Sequence, residues 1–166
     1  MNKIENANAQ NSLFIICPFC QLENYLLKKF GDDIFFMTAA AGVLNFNEDE
    51  ISAIKDFIKR EQISTIYVVN DIGCNFIEEA INNKKEFGLP YETELRKQFQ
   101  TIQSEEESQN SLEKKKIIVA ENNLQQQAKY LAATKILKHE IETSQISIRT
   151  LITNKHESIN HQFKLN

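Results

Sequence analysis

Three short apolar runs, each followed by a segment of helical spacing, constrain this chain more than any other feature. Leu13-Phe14-Ile15-Ile16 stops at Cys17-Pro18 and reads as a buried strand that the proline ends. Residues 20 to 30 then place Leu22, Tyr25, Leu26 and Phe30 on one helical stripe, closed by Gly31 at a C′ position. Ile34-Phe35-Phe36-Met37 is a second buried strand, running into the small residues Thr38-Ala39-Ala40-Ala41-Gly42. Asn47 with Glu50 has the form of a capping box, and Ile51, Ile54 and Ile58 follow at helical spacing. Thr65-Ile66-Tyr67-Val68-Val69 is a third strand. It ends at Asn70-Asp71, and Gly73 releases a helix bearing Phe76, Ile77, Ala80 and Ile81. Strand and helix alternating in this way predict right-handed crossovers and a mostly parallel sheet.

The second half is less regular. Leu95, Phe99 and Ile102 predict a helix from Tyr91 to Glu107, and the polar stretch Gln100 to Lys116 is read as an exposed helix end and loop. Ile117-Ile118-Val119 fits a strand or a helix equally. Leu124, Ala128, Leu131, Leu137 and Ile141 predict one long helix. Ile146-Ser147-Ile148 and the alternating residues Ile159 to Leu165 predict a closing antiparallel hairpin around Asn154 to Ser158. The expected fold is therefore α/β: three layers, α/β/α, with a mostly parallel central sheet and a C-terminal antiparallel strand or hairpin. Residues 1–12 are expected as a disordered or short N-terminal arm, and residues 13–166 as a single domain.

Composition narrows the function. With 166 residues, one hydrophobic core is expected. The 19 basic and 23 acidic residues leave a net charge of −4, without the basic footprint of a nucleic-acid binder. Lys84-Lys85 and Lys114-Lys115-Lys116 are short and read as solvated helix faces. Met1 to Asn11 has no apolar signal-peptide core, and no apolar run reaches the roughly 20 residues that span a bilayer. A cytoplasmic protein is expected, so Cys17, Cys20 and Cys74 should be thiols, metal ligands or redox groups rather than structural disulfides.

In an open α/β sheet, ligands sit beyond the carboxyl ends of the strands. The first strand ends in Cys17-Pro18-Phe19-Cys20 and the third in Asp71-Ile72-Gly73-Cys74, so all three cysteines lie at two strand ends. If those strands are neighbours, the thiols and a carboxylate converge, which points to metal binding. The histidines add no ligand: His139, His156 and His161 read as structural.

The order of these segments resembles the β-carbonic anhydrase family. Ile66 to Cys74 is similar to its strand followed by Gly-His-x-x-Cys, and Cys17 falls where its Cys-x-Asp-x-Arg motif begins. Asp33 to Val43 is similar to its strand and Arg-Asn-Ala-Gly-Gly loop. Asn123, Leu124, Gln127 and Leu131, then Ile136-Leu137 and Ile146 to Ile148, are similar to its last helix and closing strand. The likeness runs from Leu13 to Leu165, with a gap or insertion between Lys84 and Glu121.

The resemblance implies a zinc site at Cys17, Asp71 and Cys74, with Asp71 where the family has histidine and Cys20 as a candidate further donor. It also implies a homodimer and carbon dioxide or bicarbonate as ligand. The family's Asp and Arg fall on Phe19 and Gln21, and the Arg of the second loop on Thr38. A carboxylate in place of imidazole lowers the Lewis acidity of such a zinc, and no acid–base pair remains to orient a nucleophile. Weak or absent hydration is therefore expected.

Two alternatives stand beside this reading. Cys17-Pro18-Phe19-Cys20 also resembles the thiol–disulfide motif of the thioredoxin class, where a helix N-terminus lowers the first thiol's pKa. That class has a cis-proline before a later strand, whereas the other proline here is Pro90, before a polar helix. A metal-free binding or scaffold module is the third reading.

Overall fold

The computed structural model describes residues 11–82, 88–102, 111–134, 137–139, 145–154, 157–159 and 164–165. The chain order is β1 (Ser12–Ile16), α1 (Glu23–Phe30), β2 (Ile34–Thr38), α2 (Glu48–Arg60), β3 (Thr65–Asp71), α3 (Asn75–Ile81), α4 (Pro90–Ile102), α5 (Leu112–Ala133), β4 (Ser147–Asn154), β5 (Glu157–Ile159) and β6 (Lys164–Leu165). The strands form one sheet in the order β2-β1-β3-β4-β5, with β6 also paired to β4. β2, β1, β3 and β4 are parallel, and β5 and β6 run antiparallel to β4. The expected α/β sheet is present.

Strand alternation divides the core between the two faces. Leu13, Ile15, Ile66, Val68, Ile148 and Ile152 face one way and pack with residues of α2 to α5. Phe14, Ile16, Tyr67, Val69 and Leu151 face the other way, towards Leu26 of α1 and Leu22 just before it. Phe14 stacks on Tyr67 with ring centroids 4.5 Å apart.

The local signals at the helix ends operate as read. Asn47 accepts from the Glu50 N–H while Glu50 accepts from the Asn47 N–H, the reciprocal capping box. Gly31 closes α1 at φ +96, donating its N–H to Leu27.

Five expectations change. The first helix begins at Glu23: Pro18–Cys20 forms a separate 3-10 turn, and Gln21 breaks it in the left-handed region. Leu112–Lys116 is helix rather than loop, and Ile117 to Val119 lies inside α5. Ser111 caps that helix, its hydroxyl accepting from the Lys114 N–H. α5 ends at Ala133, where Thr134 turns extended, so Leu137 lies beyond it and Ile141 outside the described residues. The strand begun at Ile146-Ser147-Ile148 continues to Asn154 as a parallel partner of β3, and Ser12 already belongs to β1. His156 and His161 fall outside the described residues.

Candidate metal centre

β1 and β3 are adjacent and parallel, with Ile15 opposite Val68, so their carboxyl ends emerge side by side. Cys17 follows β1 directly and Cys74 caps α3 shortly beyond the end of β3. The Cys74 thiol donates to the Cys17 sulfur at 4.0 Å. The 3-10 turn brings Cys20 back over Cys17, its N–H bonded to the Cys17 carbonyl at 3.1 Å. All three sulfurs lie within 4.8 Å of one another. Cys17 and Cys74 are buried and Cys20 is half-buried, and none forms a disulfide.

Backbone amides point at these sulfurs. Cys17 accepts N–H bonds from Phe19 and Ala41, and Cys74 accepts one from Phe76. Hydrogen bonds from Cys20 first, and from Cys74 next, hold the Cys17 thiol far below its ordinary pKa. The same sharing raises the other two: Cys20 by its bonds to Cys17 and Cys74 and then by burial, Cys74 by its bond to Cys17. The arrangement thus favours the thiolate on Cys17 over one on Cys20 or Cys74.

Asp71 does not join them. With Tyr67 and Val69 it follows the strand parity that faces α1, whereas Cys17 packs on the α5 side. One carboxylate oxygen of Asp71 accepts from the Gly73 N–H at 2.7 Å and the other from the Thr153 hydroxyl at 2.6 Å. Among the described residues the clustered donors are the three cysteines. In this structure Cys20 stands with the sulfurs of Cys17 and Cys74, while Asp71, expected beside them, holds the turn. His139 is not in the cluster either.

Phe19, where the family carries its Asp, is 73% exposed and meets Phe76 edge-on at 5.3 Å. Phe76 packs on Tyr91 at 4.5 Å. Partial burial first, then the Glu92 and Glu79 carboxylates, raise the Tyr91 phenol above its usual pKa. Gln21 is exposed and Thr38 ends β2, so no described carboxylate–guanidinium pair occupies these family positions.

Sequence reading did not find Asn70, Asn123 and Gln127 as parts of the site. Asn123 and Gln127 donate and accept within a buried amide chain that reaches Ala41, next to Cys17. The available signal was polar residues spaced four apart inside the apolar stripe of α5.

A sheet of this topology with thiols at two adjacent strand ends is an α/β fold able to hold a metal ion. The carbonic anhydrase family profile matches residues 20–158, and the chain belongs to the β-carbonic anhydrase family. Among solved structures it is similar to the β-carbonic anhydrase CafA of Aspergillus fumigatus, at 18% identity and a TM-score of 0.76 over 96% of this chain and 76% of that one. It is also similar to the wild-type β-carbonic anhydrase CafD of the same fungus, at 14% identity and a TM-score of 0.73 over 100% and 95%. One of two tetrameric β-carbonic anhydrases of Sordaria macrospora matches at 14% identity and a TM-score of 0.73, over 94% and 83%. No curated protein matches the sequence. The fold also sets aside the thioredoxin-class architecture, since Cys17 precedes a three-residue turn rather than an α-helix. Among the described residues no helix is long and apolar enough to cross a membrane.

Proposed function

We propose that the protein is a three-thiolate metal-binding member of this family with weak or absent carbon dioxide hydration. The observation that carries this reading is the cluster of Cys17, Cys20 and Cys74 within 4.8 Å, with Asp71 tied into a turn on the other face. Soft sulfur donors with N–H bonds from Phe19, Ala41 and Phe76 fit zinc, and these three cysteines would hold it. Zinc would supply Lewis acidity, which three thiolates temper more than two thiolates and an imidazole.

The surrounding residues support binding over turnover. Phe19 and Gln21 offer no carboxylate–guanidinium pair to orient a nucleophile, and Phe19 faces solvent. Bicarbonate or carbon dioxide remains the ligand class the family suggests. A reducing, cytoplasmic setting keeps the three thiols available. Homodimerisation belongs to the same reading. It is supported by β2 at the open edge of the described sheet and by an apolar cavity of about 240 Å³ between Leu13, Phe36, Met37 and α2.

The test is metal analysis of the purified protein and its Cys17→Ser, Cys20→Ser and Cys74→Ser variants, with a stopped-flow hydration assay. One zinc per chain, lost in each variant, with hydration near the uncatalysed rate supports the proposal. Retention of zinc in Cys20→Ser, or a rate typical of carbonic anhydrases, refutes it.

A further inference from the structure

The loop leaving β2 holds an unusual backbone. Ala41 sits at φ 56, ψ 12, a left-handed conformation that residues with a Cβ adopt at a cost. Beside it Gly42 stands at φ +69, where a Cβ would lie 2.6 Å from the Asn70 amide nitrogen. Such a backbone persists only where its surroundings fix it.

Three buried amides fix it. Asn70 donates to the Ala41 carbonyl at 2.8 Å, and Asn123 donates to the same carbonyl at 3.1 Å. Asn123 also donates to the Asn70 oxygen at 2.8 Å and accepts from Gln127 at 3.1 Å. The Gln127 oxygen accepts the Leu44 N–H at 2.9 Å, closing the chain on the far side of the loop. Turning any one amide over would place two donors or two acceptors face to face, so the orientation is set from end to end. Asn123 is 0% exposed and lies at the centre of the chain.

The other side of the same loop carries the consequence: the Ala39 N–H bonds the Ile16 carbonyl at 2.9 Å, and Ala41 is buried in one cluster with Cys17, its N–H towards the sulfur. We propose that Asn123 is a positioning residue for the thiol cluster, holding Ala41 so that its N–H bonds Cys17 and thereby setting the affinity of the three sulfurs for thiophilic divalent cations. The affinity part rests on the metal-binding reading above. The positioning part rests on the amide chain alone. Groups that orient a metal-binding side chain commonly change affinity by about 10- to 100-fold when removed.

The experiment compares the wild type with Asn123→Asp and with Leu95→Ala. Asn123→Asp keeps the shape and the oxygen that faces Gln127 but loses the amide's two donations. Leu95→Ala removes core volume from α4 and serves as a stability control. Two readouts are taken at a temperature where all three are folded: Co(II) affinity from the sulfur-to-metal absorption band, and the rate of Cys17 alkylation by iodoacetamide in metal-free protein. Asn123→Asp should weaken Co(II) binding by about tenfold relative to Leu95→Ala. It should also change the Cys17 alkylation rate by about threefold or more.

Equal shifts in the two variants, in proportion to their loss of stability, overturn the proposal. If the wild type binds no Co(II), the metal reading fails, and the alkylation comparison alone decides the role of Asn123. If Asn123→Asp does not fold, Gln127→Leu replaces it, with a smaller effect in the same direction expected and none overturning the proposal.

Discussion

Thr153 donates its hydroxyl to a carboxylate oxygen of Asp71 at 2.6 Å, across two neighbouring parallel strands in which these residues are direct partners. The second oxygen takes the Gly73 N–H, and the Ile72 N–H bonds the Thr153 carbonyl at 2.9 Å. Asp71 therefore sets the turn that delivers Cys74. Asp71→Asn loses an acceptor in this buried pair and should cost about 1–3 kcal/mol of stability. Metal stoichiometry should stay unchanged. Urea unfolding and metal analysis on the same preparation check both, and loss of the metal at full folding would return Asp71 to the ligand set.

The thiol trio gives a pH dependence of defined sign. Cys17 has a folded pKa below its ordinary value, so its contribution to stability is complete above that value and is lost as pH falls. Cys20 and Cys74 have folded pKa values above the ordinary one, so their contribution is present below it and is lost as pH rises. The summed contribution in metal-free protein should peak near the ordinary thiol value of about 8.5. Unfolding free energies from about pH 6 to 10, which bracket that value, compared with a triple Cys→Ser variant, should show this maximum in the difference curve. A flat difference would mean that the sulfurs do not share a proton.

Gly42 approaches Asn70 too closely for any side chain. Gly42→Ala would place a methyl group 2.6 Å from the Asn70 nitrogen at φ +69, which should cost about 1–3 kcal/mol. The same change should weaken metal binding, because it displaces the loop that carries Ala41. Thermal unfolding and metal titration measure the two effects, and a variant as stable as wild type would show that the loop yields freely.

Phe19 provides the contrast. Its ring is 73% exposed and touches Phe76 by one edge, so Phe19→Ala should cost no more than about 1 kcal/mol. Alkylation of the half-buried Cys20 should become faster, as measured by mass spectrometry against Cys74 in the same sample.

Much of the fold was legible because each early strand is a compact apolar run with a turn residue behind it. Cys17 and Cys74 could be paired from the expectation that β1 and β3 are neighbours. Asp71 was read as a ligand by transferring a family position without counting strand parity. Ile66, Val68 and Asn70 share one face, and Asp71 falls on the other with Tyr67. That alternation was readable, and it also points Asn70 towards α5. Cys20 depended on a tight turn between β1 and α1, which the Cys-x-x-Cys spacing permits without requiring. The start of α5 was hidden because Leu112 to Lys116 is dominated by charges, so its apolar period is absent where Ser111 caps it. Its end at Ala133 carries no glycine or proline to announce it.

Cys17 and Cys74 are 57 positions apart along the chain, although their sulfurs are neighbours. An ion bridging them closes a loop of that length, and tying such a loop removes on the order of 4 kcal/mol of freedom from the unfolded chain. Any metal bound here would thus act as a detachable cross-link. The first structure to loosen on its withdrawal would be the join between the two halves of the parallel sheet rather than either half.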